Sequence, residues 1–178
     1  MNLIERARIF AIAAHSAKGQ VRKYTNEPYW HHSQNVAGLV ESVSHTDEMI
    51  AAAWLHDVVE DTDVTIETIR LEFGDNVAEL VNWLTDVSRP SDGNRAVRKA
   101  IDREHTAQSP AEAQTVKFAD IIDNVSSIVK YDPSFAKVYL EEKKLLIDVM
   151  VTGDQSLRDT ALTYIGEFNV QGRVEELD

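Results

Sequence analysis

The sequence predicts an all-α fold arranged as a single-domain helical bundle. Apolar residues recur at the spacing of an α-helix along almost the whole chain. No stretch alternates between apolar and polar residues for long enough to indicate a β-sheet. Residues that typically begin or end helices, chiefly Thr, Ser, Pro and Gly, separate the periodic stretches. A chain of 178 residues suits one hydrophobic core, so we expect one domain over residues 1–178.

The first half of the chain predicts five helices. The first covers residues 3–18 and ends at Gly19. A loop containing Gly, Asn and Pro leads to a second helix over residues 33–44. Thr46 is placed to cap a central helix that we predict over residues 47–59. Two shorter helices follow: Ile66–Phe73, capped by Thr65 and closed by Gly74, and a helix over residues 76–86.

The second half predicts four more helical stretches after the turn-forming residues 89–94. The first is basic, and we interpret it as a solvated helix face paired with Asp102 and Glu104. The sequence from Ser109 to Glu112, with Pro110 in the first turn, indicates a capping box that begins a long helix ending near Lys130. Amphipathic helices are predicted over residues 133–151 and 156–168, and the acidic tail after Gly172 is expected to fray.

Composition narrows the classes of function. The formal net charge is −12, with 30 acidic and 18 basic residues, which argues against binding to nucleic acid or an anionic membrane. The absence of cysteine excludes disulfides and zinc–thiolate sites and fits a reducing cytoplasm. Charged residues (Glu5, Arg6 and Arg8) interrupt the apolar N-terminal stretch before it reaches the length of a signal peptide or membrane span. We expect a cytoplasmic protein, and the sequence leaves its oligomeric state open.

The polar residues of greatest interest follow the apolar run that begins at Ala51. His56 and Asp57 end this run, and Glu60 and Asp61 each follow one of them by four residues, so on a helix all four share one side. Burying a carboxylate is costly unless it is paired or binds a cation. A solvated helix end would also explain an isolated His-Asp pair. Additional candidate ligands elsewhere are needed to favour a metal site.

Two such residues are His32 in PYWHH and Asp120 in VKFADIIDN. Together with His56 and Asp57 they provide two imidazoles and two carboxylates, a set that suits a divalent ion such as Mn²⁺ or Fe²⁺. Four protein ligands on an octahedral ion leave two positions for water and substrate. On the predicted long helix, the residues that share a face with Asp120 are Lys117, Asn124 and Ser127.

Several separate motifs resemble those of the HD-domain metal-dependent phosphohydrolases. They are AHSAKGQVRK, EPYWHH, AAAWLHDVVEDTDVT, EFGDNVAELV, LTDVS and VKFADIIDN, which together span about residues 7–128. Within that superfamily they most resemble the hydrolase domain of the RelA/SpoT homologues, especially the small stand-alone form typified by the metazoan SpoT homologue. The resemblance implies an HD-type helical bundle, and 178 residues leave no room for the synthetase domain that many relatives carry.

The resemblance also implies roles for individual residues. Its P-Y-x-x-H pattern makes His32, and not His31, a metal ligand beside His56, Asp57 and Asp120. The acidic pair Glu60 and Asp61 would orient or deprotonate the attacking water. The implied substrate-binding residues are Arg22, Lys23, Asn124, Ser127 and Tyr139. The basic residue that the stand-alone relatives carry four positions before that tyrosine is Phe135 here, a departure that concerns nucleotide recognition and not the metal chemistry.

Three functions remain open on the sequence alone. The first, implied by the resemblance, is Mn²⁺-dependent hydrolysis of the 3′-pyrophosphate of guanosine 3′,5′-bis(diphosphate), ppGpp or pppGpp, to GDP or GTP and pyrophosphate. The second is hydrolysis of another nucleotide, such as NADPH or a deoxynucleotide. The third is a module that senses a metal or nucleotide without turnover. An acidic pair is not needed by a sensor, so Glu60 and Asp61 favour an enzyme.

Overall fold

The computed structural model describes the backbone of residues 1–175 and the side chains of residues 1–167, and it is helical. Within this part of the chain, the β-type pairing is an isolated antiparallel bridge between Val21 and Pro28. The all-α prediction is therefore confirmed. The α-helices are α1 Leu3–Ala17, α2 Trp30–Glu41, α3 Asp47–Leu55, α4 Val58–Asp61, α5 Ile66–Phe73, α6 Asp75–Leu84, α7 Arg95–Ala107, α8 Ala111–Tyr131, α9 Pro133–Val149 and α10 Gln155–Glu175.

Helix α3 lies at the centre of the bundle. All of its residues from Met49 to Leu55 are buried, including three consecutive alanines that have no exposed surface. Helices α1, α2, α6 and α8 pack around it. Such complete burial explains why this stretch is apolar on every side and not amphipathic. Helix α3 therefore carries the residue that follows it, His56, directly into the interior.

The central helix predicted over residues 47–59 is interrupted. Helix α3 ends at Leu55, His56 and Asp57 form a turn, and α4 begins at Val58. Asp57 has φ −96° and ψ −4°, in the sparsely populated bridge region where many active-site residues are found. Adjacent side chains of a regular helix point about 100° apart and cannot meet at one point. The interruption allows His56 and Asp57 to approach each other, so the prediction of one continuous helix was wrong.

The helix caps agree in part with the sequence. Thr46 and Thr65 each accept the backbone N–H of the residue three positions later, which confirms both caps. The capping box at Ser109 is wrong, because Pro110 takes the N-cap position of α8 and makes no side-chain cap hydrogen bond. The buried Ser109 hydroxyl instead donates to the carbonyl of Thr106, at 2.7 Å.

The basic helix α7 is not simply a solvated face. Asp102 is only 5% exposed. Its carboxylate accepts the N–H groups of Val87 and Ser88 at 3.1 and 2.9 Å and the Ser88 hydroxyl at 2.9 Å. Asp102 therefore anchors the segment that follows α6 against α7. It also pairs with Lys99 of the basic stretch at 3.5 Å, so the predicted pairing is confirmed, whereas the prediction that Asp102 is solvated was wrong.

The C-terminal helices α9 and α10 pack against α8. Helix α9 ends two residues before the predicted bound, and the backbone of α10 continues past residue 168 to Glu175. We predicted fraying after Gly172. The backbone is helical as far as Glu175, and residues 176–178 lie outside the described residues. Among the described helices, none combines the length and the apolar character needed to cross a membrane.

Candidate active site

Two histidines and two aspartates converge where α2, α8 and the α3–α4 turn meet. His32 Nε2 and His56 Nε2 are 3.2 Å apart. Asp57 Oδ2 lies 3.0 Å from His56 Nε2 and 3.5 Å from His32 Nε2. Asp120 Oδ1 lies 3.3 and 3.9 Å from the Nε2 atoms of His32 and His56. The structure thus brings together the four residues that the sequence singled out as metal ligands.

Hydrogen bonds on the far side of each imidazole fix the direction of its free nitrogen. His32 Nδ1 is 2.6 Å from Asp123 Oδ2, and His56 Nδ1 is 2.8 Å from the Ala53 carbonyl. With Nδ1 carrying the proton toward these acceptors, each Nε2 presents its lone pair to the centre of the cluster. In that tautomer the two lone pairs, 3.2 Å apart, repel each other, so a cation between them, either a proton or a metal ion, is favourable.

The aspartates are held as firmly as the histidines. Tyr29 donates its hydroxyl to Asp57 Oδ2 at 2.6 Å, and burial raises the pKa of Tyr29, so this proton stays in place. Asp120 accepts Asn124 Nδ2 at 2.6 Å and pairs with the Lys117 ammonium at 3.2 Å. Both partners lie on the face of α8 that carries Asp120, as the three- and four-residue spacing predicted.

The charge balance of the cluster also favours a cation. Burial alone would lower the pKa of His32, but hydrogen bonds to Asp120 and Asp123 raise it to about 9. Such a shift indicates surplus negative charge around the imidazole. The group formed by His32, His56 and Asp57, with ligand atoms within 4.8 Å of one another, and the adjacent Asp120 could therefore hold a divalent metal ion.

Glu60 and Asp61 stand on α4, immediately after the cluster. Glu60 Oε1 accepts the N–H of Asp86 at 2.6 Å. Partial withdrawal of its carboxyl from water is the main cause that raises the pKa of Glu60 to about 7. The residue as a whole is exposed. Burial likewise raises the pKa of Asp61. An acid with a pKa of about 7, such as Glu60, is suited to exchange a proton near neutral pH.

A hydrogen-bonded chain that the sequence analysis missed leads to Asp61. The buried His15 lies with Nδ1 2.7 Å from Gln20 Oε1, and Gln20 donates Nε2 to Asp61 Oδ2 at 2.7 Å. Burial lowers the pKa of His15, which keeps the ring neutral. The chain orients the Gln20 amide and, through it, one oxygen of Asp61. His15 and Gln20 both lie in the motif AHSAKGQVRK, but nothing in their residue types indicated that they form a chain to Asp61.

Next to the cluster is a cleft of about 260 Å³. Arg22 crosses it and donates to Asn124 Oδ1 at 2.9 Å and to the Ser127 hydroxyl at 3.1 Å, so three of the predicted substrate-binding residues are in contact. Arg22 also pairs with Asp123 at 3.3 Å, which sequence reasoning missed. The exposed Lys23 lines the cleft as well.

Two aromatic residues on α9 concern nucleotide recognition: Tyr139, predicted to bind substrate, and Phe135, which replaces the basic residue of the stand-alone relatives. Tyr139 is only 8% exposed and lines a different cavity, and its ring centroid lies 6.0 Å from that of Phe135. Phe135 lines the Arg22 cleft itself. His31 stacks on Trp30 at a centroid distance of 3.8 Å and belongs to neither cavity as described. Tyr139 therefore does not line the Arg22 cleft, although the charges of Asp120 and Arg22 both act on its hydroxyl, whose pKa burial raises.

A helical bundle in which His, His-Asp and Asp meet in this way defines a class of protein. The model of the HD domain family matches residues 7–133, and the chain belongs to that family. Among solved structures, it is similar to a metazoan ortholog of SpoT that hydrolyzes ppGpp, with a TM-score of 0.82 and 27% identity over 94% of this chain and 96% of the other. The structure of lmo0812 from Listeria monocytogenes EGD-e also matches, with a TM-score of 0.65 and 29% identity over 81% and 99% of the two chains.

Curated relatives have related names. The guanosine-3′,5′-bis(diphosphate) 3′-pyrophosphohydrolase MESH1 of Drosophila melanogaster is 35% identical over 125 residues, which cover 68% of each chain. The guanosine-3′,5′-bis(diphosphate) 3′-pyrophosphohydrolase of Aquifex aeolicus (strain VF5) is 38% identical over 128 residues, 70% of this chain and 18% of the relative. A probable enzyme of the same name from Synechocystis is 34% identical over 145 residues, 80% of this chain. The chain spans under a fifth of the length of these last two relatives, 18% and 19%.

Proposed function

We propose that this chain is a metal-dependent phosphohydrolase that removes the 3′-pyrophosphate of ppGpp or pppGpp. The products are GDP or GTP and pyrophosphate. The observation that carries the proposal is the convergence of His32, His56, Asp57 and Asp120, with both Nε2 atoms aimed at one point and two acids beside it. The names of the MESH1 relatives and of the solved SpoT ortholog supply the substrate.

The ion is proposed to be Mn²⁺, with Fe²⁺ as the alternative, because the donor set mixes imidazole nitrogen with carboxylate oxygen. When bound, a divalent ion makes its water more acidic and withdraws charge from a phosphoryl oxygen. Asp123 and the Ala53 carbonyl keep the two imidazoles in the tautomer that can bind it. The Tyr29 hydroxyl donates to Asp57 Oδ2 and so fixes the orientation of that carboxylate.

The residues of the chain then divide the remaining work. Asp61, held by Gln20, orients the attacking water, and Glu60 accepts its proton. The water oxygen forms a bond to the phosphorus next to the ribose. The bond between that phosphorus and the 3′ oxygen breaks, and the proton passes to the 3′ oxygen. In keeping with the family resemblance, Arg22 and Lys23 approach the phosphates, while Asn124 and Ser127 lie near the ribose.

The products of the reaction test this proposal. With Mn²⁺ and ppGpp, the protein is expected to yield GDP and intact pyrophosphate, because attack at the ribose-proximal phosphorus leaves the two phosphates joined. Chromatography of the nucleotides and a pyrophosphate assay measure both products. Release of orthophosphate alone, or no turnover of ppGpp, would show that the proposed reaction is wrong.

A second candidate substrate is another nucleotide, such as NADPH or a deoxynucleotide. The observation that favours it is Phe135, which lines the cleft where the stand-alone relatives carry a basic residue. Its ring lies 5.9 Å from the Lys23 ammonium and 5.1 Å from the Arg95 guanidinium, so the position offers an apolar face between two cations. Rapid turnover of NADPH beside slow turnover of ppGpp would favour this candidate.

The non-enzymatic alternative is a module that senses a metal or nucleotide. Metal and nucleotide binding without turnover of any nucleotide in a panel would favour the sensor.

We propose that the protein acts in the cytoplasm on a small-molecule nucleotide, without nucleic-acid or membrane partners. The absence of cysteine and the net charge of −12 support this location and this choice of partner.

A further inference from the structure

A second cavity, of about 170 Å³, begins on the other side of Asp120 from the Arg22 cleft. Lys117, one turn before Asp120 on α8, lines this cavity, whereas Asn124 and Ser127, one and two turns after Asp120, line the cleft. The second cavity is rich in bases. Its charged residues are Lys99, Arg95, Arg103, Lys117 and Lys143, with Asp86, Asp102 and Glu142.

Most of these bases already have an acidic partner. Lys99 lies 2.6 Å from Asp86, and Arg95 makes two contacts of 2.8 Å with Glu142. Lys117 pairs with Asp120. Lys143 differs from these three bases. Among the described side chains, no carboxylate oxygen lies within 4.0 Å of its ammonium nitrogen, the limit for an ion pair. The ammonium stands 5.1 Å from the centre of the Tyr139 ring.

The surroundings of Lys143 make an anion favourable there. Withdrawal from water and then the charge of Lys117 lower the pKa of Lys143 to about 8, so the positive charge is under-compensated. A partly buried ammonium without a partner is costly, and an anion in the cavity removes that cost. The volume of the cavity is about 170 Å³, and its other bases lie around the same space.

We propose that this cavity, the Lys143 pocket, binds the 5′-phosphate end of the nucleotide, with Lys143 as a specificity-determining residue. The proposal rests on the proposed function, which places the 3′-diphosphate at the metal cluster and beside Arg22. From Lys117 to Asn124 the α8 axis advances about 10 Å. A nucleoside with phosphates on both its 3′ and 5′ hydroxyls is long enough to reach from the Arg22 cleft across Asp120 to this pocket.

Steady-state kinetics on two substrates test the pocket. We compare ppGpp with guanosine 3′-diphosphate, which has the same scissile group and no 5′-phosphate. Lys143→Met is expected to raise the KM for ppGpp at least about tenfold, with kcat changed by less than about twofold, since one charge-assisted contact is lost. The KM for guanosine 3′-diphosphate should stay the same. Lys143→Arg should restore much of the affinity for ppGpp.

Lys144→Met is the matched control, because Lys144 is exposed on the same helix and lines no part of the pocket. It should behave as the wild type with both substrates. Equal rises in KM for the two substrates, or the same effect from Lys144→Met, would overturn the assignment of Lys143 to the 5′ end. Circular dichroism of each variant shows that the fold is kept.

A binding measurement separates failure of the pocket from failure of the proposed reaction. Calorimetry on the Mn²⁺-loaded protein with GDP, which carries phosphates at the 5′ end alone, requires no turnover. Lys143→Met should weaken GDP binding at least about tenfold and leave guanosine binding unchanged. No turnover of ppGpp by the wild type would refute the proposed reaction, whereas unchanged GDP affinity in Lys143→Met would refute the pocket.

Discussion

At the residue scale, the cluster shows how partners outside the metal set define the set itself. His32 and His56 could each bind through either nitrogen. Asp123 and the Ala53 carbonyl occupy both Nδ1 atoms, and so leave only the Nε2 atoms for a metal. The sequence pointed to the four ligand candidates through their types and order. It could not point to Asp123 or Gln20, because a second aspartate on a helix, or a glutamine in a loop, is ordinarily a solvated residue.

The acidic pair provides the first prediction. Replacing Glu60 with Gln and Asp61 with Asn together should keep the fold and the metal content while kcat falls by at least about a hundredfold, because proton transfer from water is lost. Asp63→Asn is the control, since Asp63 is an exposed acid that pairs with Lys18 at 2.6 Å. Steady-state turnover with ppGpp and Mn²⁺ measures both. Activity near the wild-type level in the double variant would mean that the pair is only a solvated helix end.

Lys143 gives a prediction about pH and stability. Its pKa is about 8 in the folded protein against 10.5 ordinarily, so the unfolded chain binds the proton more tightly. The free energy of unfolding contributed by Lys143 must therefore rise as the pH increases from about 8 to 10.5. The groups that face Lys143 are Lys117 and Asp120 on α8, Lys99 on α7 and Asp86 before it, and Tyr139 on α9.

Urea unfolding of the metal-loaded protein at several pH values measures this effect. The wild type should gain stability relative to Lys143→Met between pH 8 and 10.5 and be the less stable of the two below pH 8. Lys144→Met should follow the wild type throughout. A constant difference between the wild type and Lys143→Met over the whole range would contradict the shifted pKa.

At the element scale, the sequence predicted most helices but missed how their ends are used. Apolar periodicity and the threonine caps located α3, α5 and α6 within a few residues. Neither periodicity nor capping signals reveal that α3 stops at Leu55, because the interruption is imposed by the tertiary contacts of His56 and Asp57. The same holds for Ser109, where a local capping pattern loses to a buried hydrogen bond with Thr106.

The connection between α9 and α10 gives an element-scale prediction. A Cβ added at Gly153 would lie 2.7 Å from the Phe118 ring and 2.9 Å from Gln114 Cβ. Both neighbours belong to α8, and Phe118 has no exposed surface, so they cannot move freely. Gly153→Ala should therefore lower the free energy of unfolding by about 1–3 kcal/mol through overpacking.

Gly38, inside α2, is the matched control, because nothing lies within 4 Å of the position of an added Cβ. Gly38→Ala should be neutral or stabilise by up to about 1 kcal/mol through helix propensity. Chemical denaturation of the two variants decides between them. Equal stability of Gly153→Ala and the wild type would show that the connection between α9 and α10 is not packed against α8 as closely as described.

At the scale of the whole molecule, the metal cluster ties together three parts of the chain that are distant in sequence. His32 comes from α2, His56 and Asp57 from the α3–α4 turn, and Asp120 from α8. The sequence could indicate that these segments meet only through the resemblance, since the packing of α2 and α8 around α3 depends on contacts among dozens of residues. The distribution of charge also depends on the fold. Although the net charge of the chain is −12, basic residues line both the Arg22 cleft and the Lys143 pocket, on two sides of Asp120.

This arrangement predicts that the metal stabilises the fold as a whole. An ion that binds only the folded state adds about 2.7 kcal/mol at a free concentration 100 times its dissociation constant. For a protein of this size, that corresponds to a rise in Tm of about 5–10 °C. Removal of metal with a chelator should lower Tm by that amount, and added Mn²⁺ should restore it, as followed by thermal unfolding with elemental analysis showing about one ion per chain.

Two histidine variants make this last prediction specific. His56→Ala should lose most of the bound metal, and its Tm should no longer respond to Mn²⁺ or to the chelator, because a central donor between α3 and α4 is missing. His45→Ala should respond as the wild type does, since His45 is exposed and bonds only the Val43 carbonyl among the described contacts. Full metal content in His56→Ala, or a Tm that is the same with and without chelator in the wild type, would mean that the four residues are held by protons and hydrogen bonds alone.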